Sequence, residues 1–360
     1  MNALIMTLFL FMSNSQAYPT YVRLGYTSCT GCHVSSQGGG LLTEYGKGIA
    51  STQALLAKEP EEETSSRTYI QAFQARLMRY KTESETRLFP MQADYLAHDQ
   101  LTETIHVDGI LAVAPKPKDE DPKDKKPIHK RLYARTLSLS WILQSGTKGE
   151  QRLSFGIGAL SLGIGLVDHT AFVRSENRNQ VTDNPVALKH YFSNEHFQGH
   201  SYLFTANPNE GEGNKEQGAG LQWFWKPIAN LAIGTQGLLG KTESIKRKLV
   251  GLVAKGGIGK WAFLSEYNLT KRELLASQST FNQWTGYHQI SFYPLDFWHV
   301  YISYQNFRRD QSFEVEQSRN GLGTEWRILP NLSASYEYRI KKSGQTEEVS
   351  QLAQLYFNWW

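Results

Sequence analysis

The feature that most constrains this chain is an alternation of apolar and polar residues with period two. It is sustained over runs of about 10–14 residues. Leu332, Ala334, Tyr336, Tyr338 and Ile340 alternate with Ser333, Ser335, Glu337 and Arg339. Trp298, Val300, Ile302 and Tyr304 alternate with His299, Tyr301, Ser303 and Gln305, and Leu322, Thr324, Trp326 and Ile328 with Gly321, Gly323, Glu325 and Arg327. Strands of soluble sheets average about 5–6 residues. Runs twice that length are what a tilted strand needs to cross a bilayer. Roughly sixteen can be drawn, near 67–80, 86–98, 101–113, 130–144, 151–166, 186–196, 198–206, 218–227, 229–240, 246–256, 259–270, 283–293, 296–309, 315–328, 331–342 and 349–360. Residues 67–360 are therefore predicted to form an all-β fold, a transmembrane antiparallel β-barrel of about 16 strands.

The connections agree with a barrel of the outer membrane. Short links such as those at 226–230, 255–257, 294–296 and 329–331 follow even-numbered strands, and longer links at 114–129, 167–185, 207–217 and 271–282 follow odd-numbered ones. Bacterial outer-membrane barrels pair tight periplasmic turns with longer outer loops in this way. The chain ends Tyr356-Phe357-Asn358-Trp359-Trp360. In a soluble sheet that terminal strand would be an aggregating edge; in a barrel its tryptophans suit the interfacial girdle.

Composition excludes other classes. The chain has 360 residues, 40 % of them hydrophobic. After the first dozen residues it has no apolar run of about 20, which each helical span would need. Aromatics at 12 % exclude a disordered chain. A net charge of +4, evenly spread, gives no reason to expect nucleic acid as a partner. No Ser-His-Asp arrangement, P-loop or His-Glu-x-x-His sequence stands out, so no enzymatic chemistry is expected.

The N-terminus carries the other specific signal. Residues 3–12 are apolar and are followed by small residues at Ser15 and Ala17. Residues 1–17 are read as a secretory signal peptide, although no Lys or Arg precedes the apolar run. The only two cysteines lie in Cys29-Thr30-Gly31-Cys32-His33. Cys-x-x-Cys-His is the attachment signature of c-type haem. Two thiols at that spacing can each form a thioether to one haem edge, and the adjacent imidazole faces the iron. A thioredoxin-like pair lacks its βαβ setting, and a four-ligand zinc site lacks a second ligand pair. Cys29 and Cys32 are thus the expected attachment points for one haem c, with His33 as the iron ligand.

Residues 18–66 form the expected small haem segment and linker. Gly38-Gly39-Gly40 and Tyr45-Gly46-Lys47-Gly48 suggest a loop-rich wrap, with a short helix near 49–58. So small a unit is marginal alone, which implies shelter from the rest of the chain. It contains no methionine to serve as sixth ligand. Histidines offer candidates: His169, which Asp168 would orient, His98, His196 and His200 near predicted turns, and His299 on the lumen face. The stretch 165–174 leads into a long link of the kind that can fold into a porin lumen. The charged run 115–131 reads as a solvated outer loop.

The run Tyr21-Val22-Arg23-Leu24-Gly25-Tyr26, the Cys29-to-His33 signature, and Leu42 with Tyr45-Gly46 together resemble fused monohaem cytochrome–porins, the architecture of iron-oxidising bacteria. Gly38-Gly39-Gly40 and comparatively short outer links depart from that pattern and bear on the iron-oxidase role more than on the haem. The resemblance implies an outer-membrane cytochrome that carries electrons between an extracellular donor or acceptor and a periplasmic carrier, seated in outer-membrane lipid. The alternative is a pore whose haem segment is a structural plug or a redox-sensitive gate.

Overall fold

The structure, a computed structural model, describes residues 18–26, 32–33, 41–56, 69–113, 132–146, 149–165, 170–177, 184–207, 215–310 and 314–359. Two helices, α1 (Tyr18–Arg23) and α2 (Glu44–Thr52), precede the strands. The strands are β1 (Tyr69–Thr82), β2 (Thr86–Gln100), β3 (Ile105–Val113), β4 (Leu132–Gln144), β5 (Glu150–Ile157), β6 (Val186–Ser193), β7 (Phe197–Thr205) and β8 (Gln217–Ile228) in the first half. The second half holds β9 (Leu231–Lys241), β10 (Ile245–Ile258), β11 (Trp261–Leu274), β12 (Thr280–Leu295), β13 (Trp298–Asp310), β14 (Glu314–Leu329), β15 (Leu332–Ser343) and β16 (Thr346–Trp359). A short helix, α3 (Phe172–Ser175), lies between β5 and β6.

Each strand pairs with its sequence neighbours, and β1 closes on β16, so the sixteen strands form a complete barrel. Closure runs from Phe73 opposite Trp359 to Thr82 opposite Ser350, all antiparallel. A closed ladder leaves no edge and satisfies the backbone within the wall, which a lipid setting demands.

The two faces of the wall follow the alternation. On β10, Val250 and Leu252 point outward, at 60 % and 67 % exposure, while Arg247, Leu249 and Val253 point inward and are buried. Ile233, Leu239, Ile258, Ile290, Ile302 and Leu322 extend the outer apolar band. Trp225, Trp261, Trp326 and Trp359 are exposed near one rim. A surface apolar outside and polar inside is the reverse of a soluble protein's, and it is the surface of a membrane-spanning barrel. Among the described residues no helix is long and apolar enough to cross a membrane. Leu252→Arg should therefore destabilise the barrel by about 2–4 kcal/mol, the cost of a cation at the bilayer midplane. Urea unfolding in bilayers measures it, and Leu252→Ile should be near neutral.

The rims are unequal. At the tryptophan-bearing rim, two residues join β8 to β9, β10 to β11, β12 to β13 and β14 to β15. Tyr69 and Trp359, where the wall begins and ends, lie at this rim. The longest links, between β3 and β4, β5 and β6, and β7 and β8, lie at the other. The expected long link at 271–282 is shorter than predicted. β11 and β12 stay paired out to Glu273 opposite Thr280, which leaves only 275–279 as a turn.

Two further expectations are corrected. The run 151–166 is a strand only to Ile157. Beyond it Gly163 and Gly165 take φ of +70° and +74°, a left-handed backbone that glycine adopts freely, and the chain leaves the wall for the lumen. The short helix expected near 49–58 begins earlier, at Glu44. Thr43 caps it, its Oγ1 accepting from the Gly46 N–H at 3.0 Å, so Tyr45-Gly46-Lys47-Gly48 is helical rather than loop. The segments 1–17 and 114–131, and with them the signal-peptide and charged-loop expectations, lie outside the described residues.

Candidate functional site

The N-terminal segment sits across the tight-turn mouth of the barrel. On one side Arg23 Nη2 meets Asp296 Oδ1, in the β12–β13 turn, at 2.5 Å. Its guanidinium lies 4.6 Å from the centre of the Tyr293 ring. Arg327 Nη1 donates to the Tyr21 hydroxyl at 3.3 Å. Gly25 backs onto Ala229 in the β8–β9 turn. On the opposite side Leu41 packs on Ala72 and Leu96, with Ile70 and Ile110 around it, on the inner face of β1–β3. After α2, the N–H groups of Leu55 and Leu56 donate to the carbonyls of Arg327 and Ile328 at 2.9 and 3.0 Å. The sequence gives this segment too little apolar content to fold alone, and the wall supplies the rest of its core.

Within the segment, Cys32 is buried and its carbonyl accepts from the Thr43 N–H at 3.0 Å. His33 pairs with Leu42 as an isolated bridge, so the chain doubles back beside the cysteine. α2 presses on this point: a Cβ on Gly46 would overlap the Cys32 carbonyl oxygen. Tyr26 and Tyr45 share a hydrogen bond between their hydroxyls. That bond first, then lost solvation and the charges of Tyr45 and Cys32, push the Tyr26 phenol up to about 12. Cys32 and His33, a buried thiol and a half-buried imidazole on consecutive residues, are the donor types that c-type haem takes. Cys29 lies outside the described residues.

The β5–β6 connection fills the middle of the lumen. Gly163 N–H donates to Gln236, and its carbonyl accepts from Gln222 Nε2 at 2.6 Å. Ile164 N–H donates to Glu266 Oε2 at 3.0 Å. Across the lumen, Phe172 N–H donates to Gln305 Oε1 at 3.1 Å. Arg339 Nη1 donates to the Thr170 hydroxyl at 3.1 Å. Asn177 Nδ2 donates to Thr285 Oγ1 at 2.9 Å, and Arg247 donates to the Asn177 carbonyl. Apolar contacts reinforce the crossing: Ile164, Ala171 and Val173 cluster with Phe224, Val253, Leu264 and Tyr287. Leu162 clusters with Tyr202, Phe204, Leu238 and Leu249. The wall residues Thr270, Gln283 and Thr285 are fully buried as a result. Gln236, Glu266, Gln305, Arg247 and Arg339 were not singled out in the sequence. The available signal was the lumen phase of β7 and β9–β11, which carries Tyr202, Leu238, Leu249, Val253 and Leu264 where polar residues belong.

The candidate histidines are dispersed. His98 lies on the lumen wall with both ring nitrogens engaged, Nδ1 2.8 Å from Asp108 Oδ1 and Nε2 3.3 Å from His106 Nδ1. His196 is exposed in the β6–β7 turn. His200 is buried on β7, its ring centre 4.9 Å from that of Tyr191. His299 is buried on the lumen face of β13, beside the N-terminal segment. His169, with Asp168, lies outside the described residues.

No family model matches the chain, and no curated protein matches it. Solved structures do. OmpT, an outer membrane protein of Vibrio cholerae, superposes with a TM-score of 0.62 at 11 % identity, over 82 % of this chain and 99 % of that one. The anion-selective porin from Comamonas acidovorans superposes with a TM-score of 0.56 at 10 % identity, over 81 % and 99 %. At such identities the likeness is one of fold, and this chain has the fold of the sixteen-stranded porins.

Proposed function

We propose that the chain is an outer-membrane c-type cytochrome built into a porin-like barrel. It carries electrons between an extracellular donor or acceptor and a periplasmic carrier. The observation that carries this reading is the seat of Cys32 and His33: their segment lies in the barrel mouth, between the β8–β14 rim and β1–β3. The tight turns and both ends of the wall mark that mouth as periplasmic. An apolar band about 25 Å tall separates the two aqueous sides, so one haem serves it only from inside the barrel or with a partner that reaches in.

When bound, haem c supplies a one-electron couple. Cys29 and Cys32 anchor it covalently and His33 holds the iron. Val22, Leu41 and Leu42 exclude water from the segment's interior. The wall and the lumen crossing replace bulk water in the barrel with fixed hydrogen-bonding groups. Burial and hydrogen bonding of this kind set a haem potential.

A second reading treats the barrel as a pore and the N-terminal segment as its plug or redox-sensitive gate. The filled lumen favours a closed state. Proteoliposomes holding the full-length, haem-loaded protein separate the two. With a soluble cytochrome trapped inside and a membrane-impermeant reductant outside, the conduit reduces the trapped acceptor while sugars stay out. Haem-loaded vesicles that leave the acceptor oxidised overturn the conduit. Sugar entry that switches with redox state establishes the gate instead.

A further inference from the structure

We propose that the outer face of β9–β11, at the rim of the long links, binds the phosphorylated headgroup of an outer-leaflet glycolipid of the lipid A class. The proposal stands on the wall alone and does not depend on haem. Four lysines meet there, all exposed and all in the lipid-facing phase of their strands: Lys241 on β9, Lys246 and Lys248 on β10, and Lys271 on β11. Register puts them side by side. Lys246 stands directly opposite Lys241, and Lys248 directly opposite Lys271. Strand spacing confines the four to a patch about 10 Å across and about 7 Å tall. Like charges directly opposite one another destabilise a sheet, so two such pairs side by side call for anions between them.

The wall supplies little of that counter-charge. Lys246 Nζ donates to Glu273 Oε1 at 3.1 Å, and Glu243 is exposed in the β9–β10 turn. Among the described residues no carboxylate pairs with Lys241, Lys248 or Lys271. Elsewhere on the same rim the wall opposes unlike charges. Arg308 faces Glu316, and Lys342 faces Glu347, with Nζ 3.2 Å from Oε2. The lysine pairs are thus a local departure from the pattern of the rim itself.

What lies beneath the lysines selects the occupant. The next residues down in the same phase are Leu239, Val250 and Leu269, followed by Leu252 and Tyr267, all exposed. The cations therefore sit on the top edge of the apolar band, with no polar row between, at the level of lipid headgroups. The rim is the outer one, because the tight turns and both ends of the wall lie at the other. A diacyl phospholipid brings a single phosphate. Two opposed lysine pairs so close together fit a headgroup that carries two, with its acyl chains against Val250, Leu252 and Leu269. Each ammonium is a compact point charge that suits a phosphate oxygen without demanding a fixed geometry.

The test is native mass spectrometry of the full-length protein in a neutral detergent, paired with thermal unfolding. The probes are two-phosphate lipid A, its fully dephosphorylated form and phosphatidylglycerol. Two-phosphate lipid A should form an adduct with wild-type protein, raise the temperature at which the barrel unfolds, and bind more weakly in high salt. The dephosphorylated form should do neither of the first two. Phosphatidylglycerol should bind at least about fivefold more weakly, the worth of one charge pair. Lys248→Gln/Lys271→Gln should weaken lipid A binding by about 25-fold, or about fivefold per lysine. In detergent alone the same variant should be at least as stable as wild type, because a like-charge pair is gone. With lipid A present it should be the less stable of the two. Lys342→Gln, on the part of the rim where unlike charges face, should bind lipid A as wild type does. Equal binding of dephosphorylated lipid A or of phosphatidylglycerol overturns the proposal, and so does wild-type affinity in the double variant. If the double variant does not assemble, the comparison of the three lipids on wild-type protein decides.

Discussion

Replacing Cys29 and Cys32 together by alanine should abolish covalent haem while leaving the barrel assembled. The reasoning separates two parts of the chain that share few determinants. The wall closes through β1 and β16, from Phe73 opposite Trp359 onward, and no cysteine lies in it. The proposed thioethers depend on the two thiols alone. A haem-stained denaturing gel should lose its band entirely, and the reduced-minus-oxidised spectrum of the outer-membrane fraction should flatten. Heat-modifiable gel mobility should persist, because it reports the closed wall. Retention of a covalent haem band in the double variant would place the attachment elsewhere and remove the basis of the conduit. A wild-type protein with no haem band would leave a porin-like barrel whose Cys-x-x-Cys-His is a coincidence.

Replacing the lumen crossing, residues 160–177, by a short Gly-Ser linker should open the barrel and weaken it at the same time. A sixteen-strand barrel without an inner occupant leaves an aqueous channel, so sugar entry into liposomes should rise by roughly an order of magnitude or more. The stability loss follows from what the crossing covers. Leu238, Leu249, Val253 and Leu264 are buried at 1–2 % exposure only because Leu162, Ile164, Ala171 and Val173 lie on them. Wetting a fully buried aliphatic side chain costs about 1.5–3 kcal/mol. Several at once should lower the unfolding midpoint in urea markedly. A smaller change is a useful check on mechanism. Leu162→Ala should cost about 2–5 kcal/mol through its cavity without opening a continuous path. Unchanged flux in the linker variant would mean that the mouth segment alone seals the barrel.

Most of the wall was legible in the sequence because a strand with lipid on one side and a polar lumen on the other has a clean period of two. β8–β16 show it apart from the apolar lumen positions of β9–β11 and the bulges near the tight turns, and each lies within a few residues of its expected place. β5 was misjudged for a physical reason. Leu160, Leu162, Ile164 and Leu166 continue the alternation beyond Ile157, so periodicity alone extends the strand. Leu162 and Ile164 bury in the lumen instead of facing lipid, and Gly163 and Gly165 permit the turn away from the wall. The wall recorded this in its own sequence, as apolar residues on the lumen face of β7 and β9–β11. That signal is two-dimensional: it requires knowing which strands are neighbours. The start of α2 was missed because the Thr43 cap outweighs two glycines within the helix's first five residues, one of them, Gly46, required by the approach to Cys32. Spacing alone makes Cys29, Cys32 and His33 the proposed attachment and ligand residues. That Glu325 faces His299 was not legible along the chain, because it depends on which strands are neighbours and in what register.

The contacts that seat the N-terminal segment have a bearing on biogenesis. Arg23 and Asp296 are 273 residues apart, and Tyr21 and Arg327 are 306 apart. Contacts so distant in sequence form late, after the intervening chain is in place. The first part of the chain to be made is thus among the last to find its seat. Until β12–β14 are laid down, Arg23 and Tyr21 lack their seats, and on the proposed function an attachment enzyme would have its access then. Once the wall is complete and the segment has docked, Cys32 is enclosed. On the proposed function, export, cofactor attachment and barrel assembly would have one workable order, and a delay in the second would be sealed in by the third.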